Sequence, residues 1–131
     1  NRPAFLQGCS FVATGLFLGL AALGAAVSQW PDCALLAALL FATLTAAGMA
    51  GSCWHGVAFT ELAVHAGPRS VGTALGLGNT LVFGSYCLTP LWVPLVVDRA
   101  GWPLAWASVA VCALAAGPLL HLKPRAQPRG R

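Results

Sequence analysis

Charge is what this sequence has least of. Its 131 residues include seven Lys and Arg and three Asp and Glu, 8% in all, against about a quarter in soluble domains. With 58% hydrophobic residues and a mean hydropathy of +0.78, there is too little polar surface for a water-soluble sphere. The three carboxylates, Asp32, Glu61 and Asp98, all fall at breaks between apolar runs. No acid therefore lies deep in a run, and the most usual intramembrane proton carrier is absent. No Ser/His/Asp or paired-carboxylate arrangement occurs either, which leaves an enzyme reading without chemistry. Five cysteines (Cys9, Cys33, Cys53, Cys87, Cys112) include no C-x-x-C pair. Zinc and dithiol redox sites are not expected, nor any cofactor, and these thiols read as small packing residues. Basic residues are not interleaved with aromatics along a stripe, so nucleic acid is not an expected partner. The first apolar run lacks a signal-peptide cleavage site, and no repeat of 20 to 50 residues is found.

What the sequence does have is long uncharged runs. Residues 4–27 form the first, roughly 36 Å as a helix against about 30 Å of hydrocarbon. Ser28, Gln29, Trp30, Pro31 and Asp32 break it, with a proline suited to opening a helix and a tryptophan suited to the interface. Three further runs are expected at 33–61, 70–97 and 103–122, the third carrying Pro90 and Pro94. Mid-span prolines point to a kinked helix packed against protein, where neighbours satisfy the freed carbonyls. The expected fold is an all-α polytopic membrane protein. Residues 1–122 form a four-helix transmembrane region and 123–131 a disordered basic tail. Orientation follows from Lys and Arg. Arg2, Arg69 and the tail's Lys123, Arg125, Arg129 and Arg131 fall on one side, Arg99 alone on the other. Both termini are therefore expected in the cytoplasm, with the plasma membrane as the location.

Polar residues within spans carry the most information, because lipid penalises them. Thr45, Gly48, Ser52, His55 and Phe59 recur at helical spacing and share a face of the second run. Gly72, Gly76, Asn79, Phe83, Tyr86 and Pro90 do the same on the third. Such stripes either line a solute path or bond neighbouring helices. Gly15-x-x-x-Gly19 and Gly72-x-x-x-Gly76 read as helix-packing motifs. The run Gly76-Leu77-Gly78-Asn79 lacks the Lys-Ser/Thr of a phosphate loop. His55 is suited either to proton relay or to bonding a nearby carbonyl, whereas His65 and His121 fall at membrane edges.

The segment from Thr60 to Thr80 resembles the junction between the tenth and eleventh helices of major facilitator superfamily transporters. Glu61 closes one helix, Arg69 precedes the next, and Ala74-Leu75-Gly76-Leu77-Gly78-Asn79-Thr80 matches a small-residue A-L-G-L-x-N-T segment. Asp98-Arg99-Ala100-Gly101-Trp102 resembles the family's D-x-x-G-W turn between helices eleven and twelve. The resemblance implies a C-terminal piece, helices nine to twelve, of a secondary active transporter. That parent would move a small organic solute by alternating access, with proton-coupled efflux as one form. It further implies that Ser52, Trp54, His55, Asn79 and Tyr86 line the substrate path, and that Glu61 and Arg69 belong to a cytoplasmic charge cluster. Expected partners are the lipid bilayer, the solute and the remaining helices of the bundle. Family members have about twelve helices in two halves, so four spans are not expected to transport alone. A small dimeric four-helix multidrug exporter is the alternative, but it would need an acid deep in the first helix, and none occurs between Ala4 and Val27. A non-transporting membrane protein or truncated gene product is the third reading.

Overall fold

The computed structural model describes residues 2–119, and side chains between residues 4 and 118. The expected basic tail and the last residues of the expected fourth span, 120–122, lie outside the described residues. Everything described is helix or short connection, with no strand. The elements are α1 (Arg2–Gln29), α2 (Ala34–Cys53), α3 (His55–Ala66) and α4 (Val71–Leu119).

The helix ends follow from local chemistry. Pro31 and the turn around it stop α1, whose last carbonyls are partly used by Trp30 N–H bonding Ala26 O at 3.0 Å. Between α2 and α3 the run Met49-Ala-Gly-Ser-Cys-Trp-His-Gly56 is poor in strong helix formers. The break there is slight, because Trp54 keeps near-helical angles (φ −82°, ψ −17°). Residues 34–66 are thus one apolar stretch of 33 residues. Gly67 ends α3 at φ 70°, ψ 168°, a backbone region essentially restricted to glycine.

Three helical stretches, Ala4–Gln29, Ala34–Ala66 and Val71–Pro118, are long and apolar enough to cross a membrane. The expected third and fourth runs both fall within α4. Their expected boundary is visible at Gly101, where φ 77° and ψ 174° interrupt the helix. Pro103 follows two residues later, in the opening turn that tolerates its missing N–H. Pro90 and Pro94 sit inside continuous helix. Each leaves the carbonyl four residues earlier, Tyr86 and Pro90, without its intrahelical donor.

Packing centres on α1. It runs antiparallel to α2, with Gly19 opposite Thr43. It also runs antiparallel to the part of α4 beyond Gly101, where Phe17 stacks on Trp106 at 6.1 Å and Gly24 lies by Pro103. Ser10 Oγ donates to the Ala113 carbonyl across the same pair. The buried residues Leu6, Thr14, Leu20, Ala105 and Ala110 line this seam, with Ala47 buried on α2. In lipid no hydrophobic force draws helices together, and the small ones among them, Thr14, Ala105 and Ala110, are of the kind that lets backbones approach.

The first part of α4 packs elsewhere, against α3. There Leu62 and Phe59 fill the space a side chain at Gly78 would need. A Cβ on Gly78 would lie 2.8 Å from Leu62 Cδ2 and 3.4 Å from Phe59 Cε1. The glycine motifs expected to pack helices do less. A Cβ on Gly15, Gly72 or Gly76 would meet nothing within 4 Å, and one on Gly19 only Thr43 at 3.7 Å.

Candidate functional site

Most of the two polar stripes is exposed, although Phe59, at the end of the first, packs on Gly78 of α4. Thr45, Gly48 and Ser52 are exposed, as are Gly72, Gly76, Asn79, Phe83, Tyr86 and Pro90. Apolar residues on the other faces of this part of α4, Leu77, Leu81 and Leu88 among them, are exposed as well, so the chain covers little of it on any side.

Most hydroxyls on these and the other helices are satisfied locally. Thr45 Oγ1 donates to Phe41 O at 2.9 Å and Ser52 Oγ to Gly48 O at 3.0 Å. Thr80, Ser85 and Thr89 each donate to the carbonyl four residues back, at 2.8 to 2.9 Å. This back-bonding removes the cost of a hydroxyl where lipid supplies no partner.

At the α2–α3 break the side chains form an aromatic stack. The His55 ring lies between Trp54, 4.5 Å away at 27°, and Phe59, 6.5 Å away at 17°. His55 Nδ1 is 3.1 Å from Gly51 O. A carbonyl only accepts, so Nδ1 carries the hydrogen, and in the neutral ring Nε2 remains as an acceptor. Helix geometry, stacking and tautomer together hold that acceptor in place at a half-exposed position. Carbonyl bonding, one of the two readings of His55, is therefore realised, and it leaves the second nitrogen for other work.

Asn79 and Tyr86 sit two turns apart on one face of α4. Tyr86 meets Phe83 edge-on at 6.2 Å and is 60% exposed. Asn79 follows directly on Gly78, the point where α3 touches α4. Among the described residues no hydrogen bond or ring contact joins Asn79 or Tyr86 to the Trp54–His55 stack. The structure therefore brings together Trp54 and His55, with Ser52 one turn before His55, and leaves Asn79 and Tyr86 as a second group on the other arm of the α3–α4 hairpin.

Glu61 and Arg69 flank that hairpin's turn. Glu61 is half-buried, with its carboxylate 3.6 Å from His65 Nδ1. His65 Nδ1 also lies 2.8 Å from the Glu61 backbone oxygen. Arg69 is exposed in the turn at Gly67–Ser70, which is closed by Ser70 N–H bonding Gly67 O. Among the described residues no group of three or more metal-ligating side chains gathers.

Sequence reasoning missed Gly78, which was passed over within a run resembling a phosphate loop. The signal was available: Phe59 and Leu62, three apart and so on one face, require a small residue opposite them. The Phe17–Trp106 pair had no such signal, since nothing in either helix's own periodicity selects its partner. Compared with known proteins, the chain matches no family model, no curated protein and no solved structure.

Proposed function

We propose that this chain is part of a secondary active transporter of the major facilitator type, moving a small organic solute across the plasma membrane by alternating access. It contributes four membrane crossings to the bundle, with both termini in the cytoplasm. The remaining helices pack on the faces left open here.

The reading is carried by one observation: Asn79, an amide within a long apolar helix, is exposed to the outside of the chain, on the same face as the exposed Tyr86. A lone amide such as Asn79 is costly against lipid, so its face belongs to a cavity or a partner helix. Four crossings are supported by length and pairing. Val71–Pro118 holds 48 residues, about 72 Å as straight helix, more than twice the roughly 30 Å of hydrocarbon. A reversal at Gly101 lets both halves fit, and it suits antiparallel pairing of the early half with α3 and the late half with α1.

In this reading Trp54 and His55 present an aromatic face and a fixed acceptor to the solute. Asn79 and Tyr86 supply polar groups from the other arm. Glu61 and Arg69 work at the cytoplasmic end, where charged contacts between helix ends form and break as the halves rock. Solute flux through the complete carrier in sealed vesicles, with and without a proton gradient, tests this. His55→Ala is expected to lower flux by about five- to tenfold, the worth of one hydrogen bond, at unchanged abundance in the membrane. A complete carrier that moves no organic solute under either condition overturns the proposal.

A further inference from the structure

Two cysteines far apart in sequence line one opening. A cleft of about 280 Å³ lies between α1 and α2, with Phe5, Gly8, Cys9 and Val12 on one side and Ala50 and Cys53 on the other. The register of the helix pair puts the two thiols at one level. A Cβ on Gly19 would lie 3.7 Å from Thr43 Cγ2, which fixes one rung of the antiparallel pair. Seven residues back from Gly19 is Val12, and seven on from Thr43 is Ala50. Three further in the same senses are Cys9 and Cys53. Steps of seven and three return a residue to the seam of two packed helices, and equal steps at about 1.5 Å per residue keep the two sides level. Both thiols are free, Cys9 half-buried and Cys53 exposed.

We infer that Cys9 and Cys53 form a two-thiolate site for a soft monovalent metal ion of the copper(I) class. The donor set selects this class. No side chain lining the cleft carries oxygen or nitrogen, so magnesium, calcium and manganese find no ligand there. Structural zinc takes four ligands, and two thiols supply half of them. Copper(I) favours thiolate sulfur and is satisfied by two donors in line. Reach agrees with this. A disulfide holds its sulfurs about 2 Å apart and its Cβ atoms about 3.5 to 4.5 Å apart, which would close the cleft. Two metal–sulfur bonds of about 2.3 Å, the zinc–thiolate length, instead set an ion in the middle with a sulfur on each wall. On binding, each thiol releases its proton to solvent and each sulfur gives an electron pair to the ion, with nothing oxidised or reduced. The exposed side of Cys53 gives the ion its way in. The site rests on the packing of α1 against α2 and on nothing in the transport reading.

The test is a copper(I) titration, without oxygen, of the full chain in detergent micelles with Cys33, Cys87 and Cys112 replaced by serine. Copper(I) is supplied as its bicinchoninate complex, whose colour fades as the protein withdraws the ion. One copper per chain is expected, with two sulfur neighbours by X-ray absorption at the copper edge. Cys9→Ala and Cys53→Ala should each lose the bound ion. So should a version that keeps Cys9 and Cys33 instead, since Cys33 follows the far end of α1. Circular dichroism reports whether each variant is folded, and Cys9→Ser or Cys53→Ser replaces an alanine variant that is not. Failure to withdraw copper overturns the proposal. So does binding that survives either substitution, or one ion shared between two chains.

Discussion

Ser10 on α1 donates its hydroxyl hydrogen to the carbonyl of Ala113 on α4, a contact spanning 103 positions of sequence. Most other helical hydroxyls bond to their own helix, as Thr14 does to Ser10 O at 2.8 Å. The bond ties the ends of the α1–α4 seam and should be measurable. Ser10→Ala is expected to destabilise the folded chain in micelles by about 0.6 kcal/mol, and by no more than about 1.7. Thr45→Val, which removes only a bond within α2, should change stability by less. Unfolding by a denaturing detergent reports both.

Further along the same seam the Phe17 and Trp106 rings lie 14° from parallel. A double-mutant cycle with Phe17→Leu and Trp106→Leu should give a coupling of about 0.5 to 1.5 kcal/mol, the usual excess of an aromatic pair over its contact area. Additive losses would mean that the rings are neighbours without being partners.

Glycines divide into those fixed by backbone and those fixed by space. Gly67→Ala and Gly101→Ala force a Cβ into a positive-φ, extended-ψ region and should each cost about 1 to 3 kcal/mol. Gly78→Leu crowds Phe59 and Leu62 and is expected to cost about as much by overpacking. Gly72→Ala and Gly76→Ala meet open space within the isolated chain. They should leave its stability unchanged or slightly raised, because Ala is the better helix former. Thermal unfolding of the five variants in one detergent ranks them.

The uncovered stripe on α4 predicts an accessibility pattern. If the chain works in a carrier as proposed, single cysteines at Asn79 and Tyr86 in a cysteine-free background of that carrier should react with a membrane-impermeant maleimide. Cysteines at Leu81 and Leu88, on the opposite apolar face, should not. Equal labelling of both faces would argue against a water-filled path along α4.

Much of this architecture was legible because long apolar helices are written in composition. The apolar runs at 4–27 and 33–61 predict α1 and the α2–α3 stretch to within about five residues, and the Asp98–Trp102 turn marks the Gly101 break. What remained hidden was pairwise. Periodicity showed that Asn79 and Tyr86 share a face, but not that the face has no neighbour in the chain. The spacing of Gly72 and Gly76 suggested a packing seam, yet α3 meets α4 at Gly78. Which glycine a helix approaches depends on its crossing and rotation, and those are set by bulky residues on the partner, here Phe59 and Leu62. His55 was visible as a polar group in a span. Its tautomer was not, since that depends on how Gly51 O is directed once the helix has formed.

The hydroxyls turned back onto their own carbonyls have a further consequence. A helix face whose oxygens are already satisfied offers no unmet hydrogen bond to whatever lies against it. It can be wet at one moment and dry at the next without a large change in free energy. Thr45, Ser52, Thr80, Ser85 and Thr89 make α2 and α4 surfaces of this kind, indifferent to whether water, solute or another helix is beside them.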